Sequence, residues 1–99
     1  MTVLVEAEAR ARPRRCEHVQ ARKVGRDTLI VHLLLKQYHV LNHIAGRIWD
    51  LADGERSVDH IAAAIAGEFD ADRATVGADV SSTLKTLADL KLIEIRAAS

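Results

Sequence analysis

The sequence has little of several residue types, and each shortage excludes a class of protein. Its 99 residues include a single cysteine, Cys16, so no disulfide can form within the chain, and small disulfide-rich secreted domains are excluded. No apolar run approaches the ~20 residues that span a bilayer. The first 15 residues contain no apolar segment long enough for a secretory signal. We therefore expect a cytoplasmic protein without a membrane partner.

Aromatic residues and proline are also scarce. Tyr38, Trp49 and Phe69 are the three aromatics and Pro13 is the one proline, so the 48% of hydrophobic residues are mainly Leu, Ile, Val and Ala. With 28% charged residues the composition is that of a globular protein, and the length suits one compact domain. A core without many aromatics predicts an ordinary free energy of unfolding, about 5–10 kcal/mol.

The formal net charge is zero, but the two signs are unevenly distributed. Residues 1–26 hold seven Arg or Lys against three Glu, whereas residues 27–99 hold seven Arg or Lys against eleven Asp or Glu. We interpret residues 1–15 as a flexible basic arm and residues 16–99 as the folded domain. Positive charge on an arm is weak support for nucleic acid binding, because phosphate recognition needs it on the folded surface.

Groups that carry out chemistry are missing from the sequence pattern. Of the five histidines only His39 and His43 have the i, i+4 spacing of a helical metal site, and no cysteine joins them at zinc-like spacing. Cys16 has no base near it in sequence that would activate the thiol. There is no glycine-rich phosphate loop and no paired-carboxylate motif. We predict no catalytic residue, no metal and no cofactor.

The first half of the domain contains the residues that favour strands. Residues 28–35 are long and apolar enough for a buried strand, Gly25 to Asp27 ahead of them form a plausible turn, and residues 16–22 form a weaker strand. Residues 38–41 give a short third strand. Helical spacing of apolar residues leaves an alternative, in which residues 29–52 form one long helix.

The second half favours three helices. Asn42, Ser57 and Asp72 are each good N-cap residues, and Asn42 argues against the single long helix. We predict helices over residues 42–52, 57–69 and 72–90, the first of them ending at Asp53-Gly54. The third has the cleanest apolar stripe, made of Val76, Val80, Leu84, Leu87 and Leu90. Residues 92–95 alternate and form either a short strand or an apolar tail.

This order predicts an α+β fold, with an N-terminal three-stranded antiparallel sheet followed by a three-helix bundle, similar to a winged helix-turn-helix. A winged-helix DNA-binding protein is therefore the alternative function. Its third helix should be basic, yet it carries Arg73 and Lys85 against three aspartates. We accordingly predict no nucleic acid partner.

A series of short motifs gives a family resemblance over about residues 28–95. Residues 41–54 read LNHIAGRIWDLADG and residues 57–62 read SVDHIA, followed by Phe69-Asp70 and the apolar stripe of the last helix. In this order and spacing they resemble the PqqD family and the related recognition elements of ribosomally made, post-translationally modified peptides (RiPPs). The sequence departs from the family in the turn Lys36-Gln37, which lacks the glycine often found between those strands, at Lys91, where glycine is common, and at His60, where a capping-box Glu is commoner.

The resemblance implies a non-catalytic binding protein. It implies that the chain binds the leader segment of a precursor peptide by β-strand addition and presents it to a modifying enzyme, such as a radical SAM enzyme or a leader peptidase. The leader would lie beside the third strand and against the third helix. The expected site residues are Tyr38, His39, Val40, Leu41, Arg73, Val76, Asp79, Val80, Thr83 and Thr86. The side chains of Tyr38 and His39 should point to opposite faces, and residues beside the core stripe are the better candidates for contact.

Overall fold

The structure, a computed structural model, describes residues 10–96 and has five strands and three helices within them. In chain order they are β1 (Arg12–Arg15), β2 (Val19–Val24), β3 (Asp27–His32), β4 (Gln37–Leu41), α1 (His43–Leu51), α2 (Val58–Glu68), α3 (Arg73–Asp89) and β5 (Ile93–Arg96). The strands form two antiparallel sheets, so the α+β class is confirmed.

Strands β2, β3 and β4 form the predicted three-stranded sheet, in that order. The β2–β3 turn begins at Gly25, whose φ of 62° is what the first position of a type II′ turn demands. Strand β3 is shorter than the expected strand over residues 28–35, because residues 33–36 form a turn after His32. The buried His32 stabilises that turn, since its Nδ1 accepts the N–H of Leu35 at 3.1 Å.

Lys36, in the turn that lacks the family's glycine, and Lys91 both adopt the backbone conformation for which glycine is suited. Lys36 has φ 55° and Lys91 has φ 64°. These two turns therefore form without glycine, at the conformational cost that a side chain meets in the left-handed region.

The three helices begin at the predicted caps. Asn42 Oδ1 accepts the N–H of Ala45 at 2.9 Å, Ser57 Oγ that of His60 at 3.0 Å, and an oxygen of Asp72 that of Thr75 at 3.0 Å. The alternative of one long helix over residues 29–52 is wrong, because most of its first half lies in strands β3 and β4.

The flexible-arm interpretation needs correction where the structure describes that segment. Residues Arg12–Arg15 are strand β1, paired with β5, so of the two alternatives for residues 92–95 the short strand is the one observed. On its other side β1 bonds to the α1–α2 connection, through Arg15 N–H to Ala52 O at 3.1 Å and Gly54 N–H to Pro13 O at 2.8 Å. Residues 1–9 of the arm lie outside the described residues.

One apolar core joins the three-stranded sheet to the helices. Helix α1 packs against β3, β4, α2 and α3. Trp49, on α1, is 3% exposed and packs in this core. The core contains Ile30 and Leu41 from the sheet, Ile48, Leu51, Ile61 and Ile65 from α1 and α2, and Val76, Val80, Leu84 and Leu87 from α3.

Candidate functional site: an open strand edge

The three-stranded sheet has two edge strands, β2 and β4, and they differ in charge. Strand β2 carries Arg22 and Lys23, which are the kind of residues that discourage pairing at a sheet edge. Strand β4 has the sequence QYHVL and carries no charged residue. The edge of β4 is therefore the less protected place for a further strand to pair.

The register of the sheet shows which backbone groups of β4 are open. Leu33 N–H donates to the carbonyl of His18 at 2.8 Å, one step beyond the Val19–His32 pair. Because hydrogen-bonded and non-hydrogen-bonded pairs alternate, Ile30 directs its N–H and C=O towards β4 and bonds to His39. Tyr38 and Val40 consequently direct their N–H and C=O groups away from β3, towards what we call the open edge.

The side chains of β4 alternate between two faces. Tyr38 and Val40 are 75% and 65% exposed, whereas Leu41 is 8% exposed and belongs to the core. His39 is half-buried on the core side, opposite Ile30, and its Nε2 is buried without a hydrogen-bond partner in the structure. The expected alternation of Tyr38 and His39 is thus present.

The site residues expected on α3 divide into buried and accessible ones. Val76 and Val80 are 8% and 0% exposed and belong to the core, so neither side chain is on a surface that a peptide reaches. The Arg73 side chain donates to the carbonyl oxygen of Asp59 at 3.1 Å and forms an ion pair with its carboxylate, which ties the start of α3 to α2.

Besides Arg73, which is exposed although it is paired with Asp59, three of the expected α3 residues are accessible. Asp79 and Thr86 are exposed and Thr83 is half-buried. Their spacing of four and three residues places them along one face of the helix. Apart from Arg73, the accessible residues among those expected on α3 form this polar row.

Sequence reasoning missed an apolar turn next to β4. Leu33, Leu34 and Leu35 are 47%, 65% and 48% exposed, whereas we expected them inside a buried strand. A continuous apolar run contains no periodicity that shows where a strand ends, so no signal in the run itself identified the turn.

Cys16 lies half-buried beside a pocket of about 450 Å³ that Arg14, Lys91 and Glu94 also line. Burial raises the pKa of its thiol, and the Glu94 carboxylate acts in the same direction. Within residues 10–96 no group of three or more His, Cys, Asp and Glu side chains is arranged to hold a metal ion. Over the same residues, no helix combines the length and the apolar character that crossing a membrane requires.

The fold and the open edge place this chain in a class of small α+β domains, in which a sheet with one uncharged edge strand precedes three helices. The family model described as coenzyme PQQ synthesis protein D (PqqD) matches residues 5–93. The chain belongs to the PqqD family. The comparison with curated proteins gives no match.

Two solved structures are similar to the chain. One is TbiB1 in complex with the TbiA(beta) leader peptide, 28% identical, with a TM-score of 0.75, covering 82% of this chain and 94% of that one. The other is the PqqD truncation of Methylobacterium extorquens PqqCD, described as a stand-alone RiPP recognition element. It is 26% identical with a TM-score of 0.69, and the match covers 83% of this chain and 87% of that one.

Proposed function

We propose that this protein binds the leader segment of a ribosomally synthesised precursor peptide by adding it as a strand to β4. The observation that carries the proposal is the open edge itself. Tyr38 and Val40 direct two N–H and two C=O groups outwards from a strand without charge, while Arg22 and Lys23 protect the opposite edge. An extended peptide satisfies such groups by β-augmentation.

The similar structures support this assignment. TbiB1 was solved with a leader peptide bound, and the PqqD truncation is described as a functional recognition element. At 28% and 26% identity over more than four fifths of this chain, the likeness extends beyond the arrangement of helices and strands.

The free energy of binding has to come from side chains as well as from the edge. Each backbone hydrogen bond contributes about 0.5–1.5 kcal/mol, and ordering a disordered leader costs about 2–5 kcal/mol. Four bonds therefore do little more than offset the ordering. We propose that leader side chains also contact His39 and the polar row Asp79, Thr83 and Thr86, which gives a Kd between tens of nanomolar and tens of micromolar.

On this proposal the protein is a non-catalytic partner that holds the leader while a separate enzyme modifies the rest of the precursor. Burial raises the pKa of the Cys16 thiol, which disfavours the thiolate that a nucleophile requires. Incubation of the purified protein with the precursor alone should therefore leave the mass of the precursor unchanged. A mass change without added enzyme would contradict this part of the proposal.

Proline substitutions test the edge directly. Val40→Pro removes an N–H that points to the open edge of β4, whereas Ala21→Pro removes one that points away from the sheet at the edge of β2. The probe is a fluorescein-labelled synthetic leader of the cognate precursor, titrated by fluorescence anisotropy. We expect Val40→Pro to weaken binding about 30-fold, or ~2 kcal/mol, and Ala21→Pro to bind as the wild type does.

Two further variants complete the test. His39→Pro removes an N–H that bonds to Ile30, so it should lower stability, while Val40→Ala keeps the backbone and should bind better than Val40→Pro. Circular dichroism verifies folding of each variant. If Val40→Pro folds and binds like the wild type, the leader does not pair with β4.

A further inference from the structure

On β3 and β4 the sheet has an apolar outer face that no element of the described chain covers, whereas Gln20 and Arg22 of β2 lie on the same face, opposite Val31 and Leu29. This outer face is the one opposite the core, and alternation along the strands places Leu29 and Val31 on it beside Tyr38 and Val40. Leu29 and Val31 are half-buried, whereas Tyr38 and Val40 are 75% and 65% exposed. The most exposed apolar side chains thus lie on the strand with the open edge.

Pairing with β3 leaves the side chains of Tyr38 and Val40 accessible to an added strand on one side only, the side of the open edge. Val31 faces Tyr38 and Leu29 faces Val40 in non-hydrogen-bonded pairs, in which opposing side chains lie closest. Towards β3, then, each exposed side chain already has an apolar neighbour. On the other flank, an added strand would lie ~4.8 Å away and bring its own side chains within ~5.5 Å.

The absence of charge on β4 favours one kind of leader residue. A charged leader side chain packed against Tyr38 and Val40 would find no group of opposite charge on this strand. Aromatic and β-branched side chains, in contrast, form favourable cross-strand pairs with tyrosine and valine.

We propose that Tyr38 and Val40 are specificity-determining residues, which select leaders carrying two bulky apolar residues separated by one position. The inference rests on the proposed function, because it requires a strand at the open edge of β4. The two leader residues lie on the outer face opposite Tyr38 and Val40, and the residue between them points to the core side, next to His39. The recognised segment therefore has apolar residues on its outer face, where a strand with one face in solvent usually has polar residues.

Selection from a peptide library tests this inference without knowledge of the natural precursor. The probe is a phage-displayed library of random linear 12-residue peptides, panned on the full chain. We expect enriched peptides to share aromatic or β-branched residues at positions i and i+2. The double variant Tyr38→Thr/Val40→Thr, which keeps β-forming residues, should bind these peptides about 10-fold more weakly.

Matched variants separate selectivity from stability. Val24→Thr makes the same chemical change at a 58% exposed position on the outer face of β2, away from the open edge, and should leave binding unchanged. Panning on Val40→Lys should replace one of the two apolar positions by Asp or Glu. Such a change in preference would indicate that residue 40 contacts the peptide directly, because a loss of the fold would abolish binding and not alter its preference.

The results distinguish the inference from the proposed function. Enriched peptides that lose binding on Val40→Pro, yet lack the apolar pair and tolerate both threonines, would overturn the inference and leave the edge site intact. A library that yields no peptide sensitive to Val40→Pro would overturn both.

Discussion

At the scale of single residues, Gly46 is a position where helix α1 approaches strand β3 closely. A Cβ built on Gly46 would lie 2.5 Å from Thr28 Oγ1 and 3.3 Å from Thr28 Cβ. Thr28 is fully buried, and its hydroxyl accepts a hydrogen bond from Lys23 Nζ at 3.0 Å, so it has little freedom to move. The contact between α1 and β3 therefore depends on the absence of a side chain at this position.

We expect Gly46→Ala to lower the free energy of unfolding by about 1–3 kcal/mol, because the added methyl group overpacks the contact with Thr28. Urea denaturation measures the change. Gly67→Ala is the matched control, since a Cβ there meets nothing within 4 Å and alanine should stabilise α2 by about 0.5–1 kcal/mol. Equal effects of the two substitutions would show that the Thr28 contact is not the cause.

At the scale of elements, strand β1 provides the cation that the last turn of α1 lacks. Arg15 Nη1 donates to the carbonyl oxygens of Trp49 at 3.0 Å and Asp50 at 2.8 Å, and its guanidinium lies 5.9 Å from the centre of the Trp49 ring. The Trp49 carbonyl also accepts the N–H of Ala52, the C-cap residue, at 3.2 Å, so the arginine adds a charged donor at a helix end that is only partly capped by the backbone.

Arg15→Ala should therefore destabilise the protein by about 1–3 kcal/mol, through the loss of two hydrogen bonds to partly buried carbonyls. Arg12→Ala, on the same strand but exposed, should change stability by less than ~0.5 kcal/mol. Thermal denaturation of the two variants provides the comparison. A similar loss from both would assign the effect to net charge and not to the helix end.

Three carboxylates at element junctions make the fold sensitive to acid. The pKa of Asp53 is lowered by N–H groups of Arg56 and Glu55, that of Glu68 by the Arg47 side chain, and that of Asp72 by the N–H of Thr75. Each group is more acidic folded than unfolded, so its contribution to stability is present above its unfolded pKa and is lost as the pH falls through its folded pKa.

We expect the free energy of unfolding to decrease as the pH is lowered from about 5 towards 2, in urea titrations at successive pH values. Glu68→Gln removes one of these titrations, so its stability should depend less on pH over that range. An unchanged pH dependence in Glu68→Gln would mean that the pair between Arg47 and Glu68 contributes nothing to folding.

An element could be predicted from the sequence where the interactions that form it are between residues close in the chain. The helix starts at Asn42, Ser57 and Asp72 were predictable, because an N-cap bonds to a backbone group three residues on. Strand β1 was not, because its partner β5 is about 80 residues away and its arginines read as a solvated arm. The β4 segment followed from its residues and its expected binding role from the family resemblance, whereas the groups of β4 that point outwards required the register of the sheet.

At the scale of the whole molecule, the charge of α3 counts against the winged-helix DNA-binding alternative. Its two cations, Arg73 and Lys85, are matched within the helix by Asp79 and Asp89, and Arg73 is already paired with Asp59. A surface that reads DNA needs an excess of positive charge to replace the counterions of phosphate.

We expect no binding to duplex DNA at ~0.2 M salt, where non-specific phosphate contacts are largely lost. Fluorescence anisotropy of labelled promoter fragments is a suitable measurement, with a series of salt concentrations as the control for non-specific binding. A complex that persists at this salt concentration would favour the alternative function.

The shortness of β4 determines how a bound precursor is held. Five residues at ~3.3 Å each give a docked segment of about 17 Å, so most of a precursor chain stays free. A flexible remainder of n residues has a mean end-to-end distance of about 5–6 Å × √n, or about 30 Å for 25 residues. Any enzyme that holds this domain then meets the rest of the precursor at about millimolar effective concentration. Under the proposed function, the enzyme reaches those precursor residues that lie at a suitable number of residues from the docked strand. The length of the spacer between them therefore matters more than its sequence.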